Sequence, residues 1–262
     1  MSQVELYLEA AERINTRRSY ESAIRHFEVE WGGLLPTTTD ILARYLVEHA
    51  ESHALNTLKH RLAALSRWHQ DHGFHDPTKS PKIRQVMKGI RSLHPALEKR
   101  AKPLELTTLQ HIYDWLTEAR TQAANSGDRA SLLRHSRNQA LVLLGFWRGF
   151  RSDELVNLRI EFIDIQPGAG MTCFLHRSKG DRQLEGRTYQ CPALSKLCPV
   201  EAVEEWLTLS GLNEGPLFRN INRWGQISEE GLAAGSIIPV LRQLFEQAGV
   251  ANAEAFSSHS LR

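Results

Sequence analysis

The 262-residue sequence contains few cysteines and lacks any long apolar segment. Its cysteines are Cys173, Cys191 and Cys198. An odd number of cysteines in a long chain argues against a disulfide framework and favours a reducing, cytoplasmic compartment. No apolar run approaches the length needed to span a bilayer, so no membrane association is expected. Glu5, Glu9 and Glu12 interrupt the N-terminal apolar residues, so we do not expect a signal peptide.

Side chains with the spacing of a metal site are also scarce. Cys191 and Cys198 lie near His176 in the sequence, but this spacing matches no usual set of zinc ligands. We therefore predict no metal site and no cofactor.

Positive charge is unevenly distributed along a chain whose net charge is only +2. Residues 56–103 contain eleven lysines and arginines against three acidic residues, whereas residues 1–55 contain five arginines against nine acidic residues. A basic block in a nearly neutral protein favours a polyanionic partner, because neutralised phosphates release their counterions. The charge pattern is equally compatible with a solvated helical face.

Four helical patterns occupy residues 1–94 and predict a helical bundle. They begin near Asn15, at Thr39 or Asp40, near Asn56, and at Ser80-Pro81. In the fourth pattern Ile83, Val86, Met87 and Ile90 share one face, and its cations share the other. Such a helix could lie against a DNA duplex. The candidate DNA-binding residues of the third and fourth helices are Lys59, Arg61, Lys82, Arg84, Lys88 and Arg91.

Residues 95–106 form a basic segment without periodicity, which predicts a linker between two domains. Residues 107–262 then predict helices starting at Thr107-Thr108, near Ser131, at Asp153, near Pro199 and near Ser236. Three short alternating segments predict strands around residues 162–165, 171–176 and 188–191. The expected fold class is mainly α with a small antiparallel β-sheet, an N-terminal helical bundle being followed by an α+β domain.

Two segments of residues 107–262 resemble motifs of the tyrosine recombinase (phage-type integrase) family. The segment Gly149-Phe150-Arg151-Ser152-Asp153-Glu154-Leu155 resembles the family's first arginine motif, and His259-Ser260-Leu261-Arg262 resembles its His-x-Leu-Arg box. Lys179 lies in a turn between two predicted strands, where the family carries its catalytic lysine. The basic N-terminal bundle resembles the family's core DNA-binding domain. The order of these elements makes the resemblance specific.

The resemblance implies DNA strand cleavage and rejoining through a phosphotyrosine intermediate, as in DNA integration by mobile elements. It assigns Arg151 and Arg262 to the nonbridging phosphate oxygens, which planar guanidinium groups clamp with paired hydrogen bonds. It assigns Lys179 to protonation of the leaving 5′ oxygen, although Arg177 and Arg182 flank it. His259 would orient the phosphate or carry a proton. The last catalytic candidate is Glu154, a partner for Arg151, with Asp153 as its competitor.

The sequence departs from the family pattern after the box. The family's nucleophilic tyrosine follows the His-x-Leu-Arg box, and here every tyrosine precedes it. We therefore expect this chain to be truncated before the nucleophile, to bind double-stranded DNA as a monomer and not to cleave it alone. The resemblance implies a homotetramer on DNA for the full-length form. The alternatives are a catalytically inactive DNA-binding regulator and a helical interaction protein that does not bind DNA.

Overall fold

A computed structural model of the chain describes residues 14–95, 101–176 and 185–262, together with residues 3, 7, 178, 181 and 183. Contacts divide the chain into two compact units, residues 1–99 and residues 100–262. Each unit has its own apolar core. Within the described parts of both units, every helix is too short or too polar to cross a lipid bilayer.

Among its described residues, the first unit contains four α-helices that pack as a bundle. They are α1 (Ile14–Arg25), which continues as a π-helical turn (His26–Glu30), α2 (Thr39–Glu48), α3 (Leu55–Asp71) and α4 (Pro81–Leu93). A short 3-10 turn at Pro77–Lys79 separates α3 from α4. The four helices coincide with the four predicted patterns, whose ends are accurate to within a few residues.

The helix starts follow from local hydrogen bonding. Ser80 caps α4, its hydroxyl accepting a hydrogen bond from the Ile83 N–H, and Pro81 occupies the first turn, as predicted. The prediction that Thr39 or Asp40 caps α2 was wrong by one residue. The hydroxyl of Thr38 accepts from the Ile41 N–H instead, because Thr38 is the residue whose backbone is still extended.

The core of the first unit combines aliphatic residues with one aromatic group. Phe27, Trp31 and Tyr45 pack edge-on or tilted, with ring centroids 5.0–5.2 Å apart. From α4, Ile83 and Ile90 are buried in this core, while Val86 and Met87 are half-buried against it. The apolar face predicted for α4 is therefore the face that packs on the bundle, which leaves the cationic face in solvent.

The second unit contains five α-helices and two small sheets among its described residues. The helices are α5 (Leu106–Ser126), α6 (Arg129–Arg148), α7 (Ser152–Val156), α8 (Pro199–Ser210) and α9 (Ile237–Gln247). The expected cap at Thr107-Thr108 was wrong, since α5 starts at Leu106 after Glu105 and has no side-chain cap. Helix α6 lies at the centre and packs against α5 and α8.

The first sheet has three antiparallel strands in sequence order. They are β1 (Ile163–Gln166), β2 (Gly170–Leu175) and β3 (Arg187–Pro192). Ile163 pairs with Cys173, and Cys173 pairs with Tyr189. Phe162, expected in β1, lies in a preceding 3-10 turn and is partly exposed. The predicted fold class, mainly α with a small antiparallel sheet, is confirmed.

A second hairpin was missed by sequence reasoning. It pairs β4 (Arg219–Ile221) with β5 (Ile227–Gly231) in antiparallel fashion. Its strands are three and five residues long and carry polar residues on both faces, so they lack the alternation that predicts a strand.

Candidate functional site

The residues of the first arginine motif lie where α6 ends and α7 begins. Gly149 ends α6 with φ +61°, a left-handed conformation that favours glycine. Phe150 is buried, and its ring contacts the Tyr189 ring of β3 edge-on at 4.9 Å between centroids. This anchored turn leaves Arg151 at the N-cap of α7, with 36% of its side chain exposed.

Glu154 holds Arg151 in place through two hydrogen bonds. The Arg151 backbone N–H donates to Oε2 of Glu154 at 2.8 Å, and Nη1 of Arg151 donates to Oε1 at 2.9 Å. Glu154 is only 3% exposed, whereas Asp153 is exposed. The buried carboxylate therefore restrains both the backbone and the guanidinium group of Arg151. Of the two acidic candidates from the sequence, Glu154 makes this contact.

Residues 253–262 complete this region from another part of the chain. Backbone N–H groups of Lys102 and Leu104 donate to the carbonyls of Ala255 and Ser260 at 3.0 and 2.9 Å. Nε of Arg242 in α9 donates to the carbonyl of Phe256 at 3.0 Å. These bonds fix the segment that ends in the 3-10 helix Ser258–Leu261.

Leu261 docks this 3-10 helix on α6. Its side chain is buried, and a Cβ built on Gly145 would lie 2.7 Å from its Cδ1 atom. Glycine at position 145 therefore makes room for Leu261, and this contact brings Arg262 next to Gly149. Arg262 itself remains exposed.

Arg151 and Arg262 line one cavity of about 440 Å³ in the second unit. Two further arginines line it, Arg148 from the end of α6 and Arg187 from β3. The acidic residues in the lining are Glu154, bonded to Arg151, and Asp181, which accepts hydrogen bonds from backbone N–H groups including that of Gly186 at 2.9 Å. The described part of the lining thus carries four guanidinium groups against two carboxylates, a charge balance that suits an anion.

Tyr189 lies in the same cavity and contacts two of its arginines. The guanidinium carbons of Arg148 and Arg187 lie 5.7 and 5.4 Å from the Tyr189 ring centroid, within the range of cation–π contacts. Nε of Arg148 is buried without a hydrogen-bond partner among the described residues. None of these three residues was predicted from the sequence as a site residue. Arg187 and Tyr189 are two positions apart in β3 and therefore lie on the same face of the strand. Recognising this face from the sequence requires knowing where the strand starts.

Two catalytic candidates are not part of the described cavity lining. Lys179 lies outside the described residues, as do its neighbours Arg177 and Arg182. His259 is exposed on the 3-10 helix three residues before Arg262, and it is not among the described residues that line the cavity.

The candidate DNA-binding residues of the first unit fall into three environments. Lys59, Arg84, Lys88 and Arg91 are exposed. Lys82 is exposed but pairs with Asp40, its Nζ lying 2.6 Å from Oδ1. Arg61 is half-buried, and its Nη1 donates to Nε2 of His26 at 2.9 Å and to the hydroxyl of Tyr45 at 3.1 Å. Arg61 therefore contributes to the internal packing of the bundle.

The three cysteines are buried free thiols. Burial raises the pKa of Cys173 to about 12 and that of Cys191 to about 11, so both stay protonated near neutral pH. Cys198 caps α8, its Sγ accepting from the Glu201 N–H at 3.5 Å. No group of three potential metal ligands occurs among the described residues.

Comparisons with solved structures identify the fold of the chain. The chain superposes on the structure of a lambda integrase tetramer bound to a Holliday junction with a TM-score of 0.53 and 17% identity, over 98% of this chain and 67% of that one. It superposes on the XerH site-specific recombinase bound to palindromic difH with a TM-score of 0.52 and 19% identity, over 93% and 62%. The fold is that of the tyrosine recombinases.

Sequence similarity extends the match beyond the fold. The chain is 28% identical over 264 residues to an integrase/recombinase xerD homolog of Selenomonas ruminantium, covering 97% of this chain and 73% of that protein. It is also 35% identical over 92 residues to the type 1 fimbriae regulatory protein FimB of Escherichia coli strain K12, covering 35% and 38%. No family model matches the chain. In sequence the chain is therefore similar to an integrase/recombinase over nearly its whole length, in agreement with the resemblance of its motifs.

Proposed function

We propose that the protein acts in site-specific DNA recombination, by cleaving and rejoining double-stranded DNA through a phosphotyrosine intermediate. The observation that carries this proposal is the cavity shared by Arg151 and Arg262, which are 111 positions apart in the sequence. The cavity joins the two arginines of the two recombinase-like motifs at one site. The lambda integrase and XerH structures that share the fold are complexes with DNA, which supports a duplex as the partner.

The chemistry requires stabilisation of a phosphate that gains charge. A tyrosine hydroxyl oxygen bonds to phosphorus, the bond from phosphorus to the 5′ oxygen breaks, and the leaving oxygen takes up a proton. Negative charge concentrates on the nonbridging oxygens in the transition state. Fixed guanidinium groups stabilise this charge without reorganising, a contribution that is usually the largest single one in catalysis. Arg151 and Arg262 fill this role in the proposal.

The other candidate residues position Arg151, transfer a proton or orient the phosphate. Glu154 positions Arg151 through the two hydrogen bonds described above. Lys179 protonates the leaving oxygen, and this assignment is supported by Ser178 and Asp181, which bracket position 179 in the sequence and line the cavity. His259, next to the box arginine in sequence, orients the phosphate or carries a proton.

Residues 1–94 serve as the core DNA-binding domain, residues 95–106 as a basic linker and residues 107–262 as the catalytic domain. The exposed cations Arg84, Lys88 and Arg91 on α4, with Lys59 on α3, contact phosphates. Lys82 can join them by exchanging Asp40 for a phosphate. We assign Arg61 a weaker contribution, because its guanidinium group is engaged with His26 and Tyr45.

Residues 1–262 by themselves bind DNA without cleaving it in this proposal. Tyr189 is the tyrosine that lines the described cavity, but its ring packs against Phe150, Arg148 and Arg187 as part of the wall. The nucleophile would come from a tyrosine beyond the box. The chain is then a monomer in solution, and the full-length form assembles as a tetramer on DNA. Three free thiols support a reducing, cytoplasmic location.

The test of this function has two steps. Duplexes bound by the chain are first selected from a random pool, and their affinity is measured across salt concentrations. A phosphate-binding surface predicts that the logarithm of the affinity falls linearly with the logarithm of salt concentration, with a slope of about −0.9 per phosphate contacted. A flat salt dependence would favour a helical interaction protein instead.

The second step uses a nicked version of the selected site, which traps covalent phosphotyrosyl adducts. We expect no adduct with residues 1–262, and an adduct when the reading frame after Arg262 supplies a tyrosine. Arg151→Ala in that longer form should abolish the adduct while binding is retained. An adduct on Tyr189 would overturn the assignment of Tyr189 to the wall. A longer form that binds its site but never forms an adduct would identify a DNA-binding regulator.

A further inference from the structure

A second basic cavity lies on another part of the second unit, between α6 and α9. Its volume is about 360 Å³. Arg134, His135, Arg137 and Asn138 line it from α6, and Gln243 and Gln247 line it from α9. None of these residues lines the cavity of Arg151 and Arg262.

Arg137 is a buried cation without a carboxylate partner among the described residues. It is 5% exposed, and its guanidinium group donates to Oδ1 of Asn138 through Nε and Nη2 and to the carbonyl of Arg219 through Nη1. These are three bonds from a group that has five N–H donors. Burial, with a contribution from Arg134, lowers the pKa of Arg137 to about 10. The burial of this charge therefore lacks an anionic compensation.

Arg134 adds a second guanidinium group, which is half-buried. Its Nη1 donates to the carbonyl of Asn222 at 3.0 Å, and its Nη2 donates to the hydroxyl of Ser131 at 3.4 Å. Both acceptors are neutral. Asp128 accepts a hydrogen bond from the Ser131 N–H as the cap of α6, and hydrogen bonds from Ser131, with a smaller contribution from Arg134, lower its pKa. Asp128 does not line the cavity.

The remaining polar side chains of the lining can donate hydrogen bonds and carry no negative charge. Nδ1 of His135 is buried without a partner among the described residues, and burial lowers the pKa of His135. Asn138, Gln243 and Gln247 contribute amide groups. The lining residues that the structure describes thus provide two guanidinium groups, an imidazole and several amides but no carboxylate, which is the composition that recognises an oxyanion.

We propose that this cavity binds a phosphate-type oxyanion between α6 and α9. The cavity, at about 360 Å³, has room for a tetrahedral oxyanion together with water. A bound anion would bridge α6, which ends just before Arg151, and α9, whose Arg242 donates a hydrogen bond to the carbonyl of Phe256. This site is separate from the recombination cavity, and the proposal does not depend on the proposed function.

The test measures how inorganic phosphate changes the melting temperature of the whole chain at constant ionic strength, with chloride as the reference anion. Arg134→Gln removes one cavity cation. Its matched control is Arg129→Gln, an exposed arginine of the same helix that does not line the cavity. Phosphate binding in the Arg151 cavity raises the melting temperature of both variants equally. We expect the phosphate-dependent rise to fall by at least half in Arg134→Gln and to persist in Arg129→Gln.

Gln243→Glu keeps the proposal testable if Arg134→Gln fails to fold. Gln243 is exposed and lines the cavity, so glutamate is tolerated there and adds a carboxylate to the lining. We expect a higher melting temperature without phosphate and the loss of most of the phosphate-dependent rise. A full rise in both Gln243→Glu and Arg134→Gln, equal to that of Arg129→Gln, would overturn the proposal.

The source of the phosphate is resolved by repeating the comparison with a short DNA duplex. Stabilisation by the duplex that is lost in Arg134→Gln would identify a backbone phosphate as the ligand. Equal stabilisation of Arg134→Gln and Arg129→Gln by the duplex would assign the cavity to free phosphate.

Discussion

Replacement of Glu154 by glutamine tests whether this carboxylate holds the Arg151 turn together. Glu154→Gln keeps the shape of the side chain and removes its charge. The amide oxygen can still accept from the Arg151 backbone N–H, which now lies 2.8 Å from Oε2. The amide NH₂ would then face Nη1 of Arg151, now 2.9 Å from Oε1, so that a donor meets a donor.

The expected loss of stability follows from these two contacts. A hydrogen bond to a charged group contributes about 1.5–3 kcal/mol, and a neutral one about 0.5–1.5 kcal/mol. Glu154→Gln loses the bond to the guanidinium group and converts the backbone bond into a neutral one. Since the Arg151 side chain is 36% exposed, water replaces part of the lost interaction. We therefore expect the free energy of unfolding to fall by about 2 kcal/mol.

Urea unfolding followed by tryptophan fluorescence and far-UV circular dichroism measures this change. Asp153→Asn is the matched control, because Asp153 is the exposed neighbour on the same turn and the substitution removes the same charge. We expect the control to change the free energy of unfolding by less than about 0.5 kcal/mol. Equal free energies for the two variants would refute the role assigned to the buried carboxylate.

Three further predictions address other parts of the molecule. Gly145→Ala places a Cβ 2.7 Å from Leu261 Cδ1, so we expect urea unfolding to show a loss of about 1–3 kcal/mol in the free energy of unfolding. Gly89→Ala in α4 places a Cβ with no atom within 4 Å, so we expect a gain of about 0.5–1 kcal/mol, and destabilisation by both substitutions would contradict the packing argument. Burial and, to a lesser extent, Arg61 lower the pKa of His26 below its ordinary value of 6.5, so the unfolded chain binds more protons than the folded chain. We therefore expect the melting temperature to fall as the pH drops below about 6.5. His26→Gln should weaken this pH dependence, and an unchanged pH profile in the variant would contradict the role of His26. Alanine at Arg84, Lys88 and Arg91 should reduce the salt slope of duplex binding by about 2.7, and a slope equal to that of the parent chain would place the DNA elsewhere.

Local sequence patterns predicted those parts of the fold that depend on local interactions. The start of α4 at Ser80-Pro81 was predictable because the capping hydroxyl and the proline act within one turn. The hairpin of β4 and β5 was not, because its short polar strands are stabilised by pairing across the hairpin. The register and the pairing of two strands depend on both segments together, so they cannot be predicted from either segment alone.

The residues of the candidate site also fall into those that local patterns predict and those that depend on tertiary contacts. Arg151 and Arg262 were predictable because each lies in a linear motif, and Glu154 because it follows Arg151 by one helical turn. Arg187 and Tyr189 were missed because their position depends on where β3 begins and how it pairs with β2. Arg148 was missed because it looks like an ordinary basic residue at a helix end. Its approach to the Tyr189 ring is a tertiary contact.

The most direct test of the account is a crystal structure of the chain bound to its selected duplex. We predict one backbone phosphate in the cavity, with both the Arg151 and the Arg262 guanidinium groups within hydrogen-bond distance, about 2.7–3.2 Å, of its nonbridging oxygens. A duplex that leaves this cavity empty, or that contacts the second unit through a different surface, would contradict the proposed recombination chemistry.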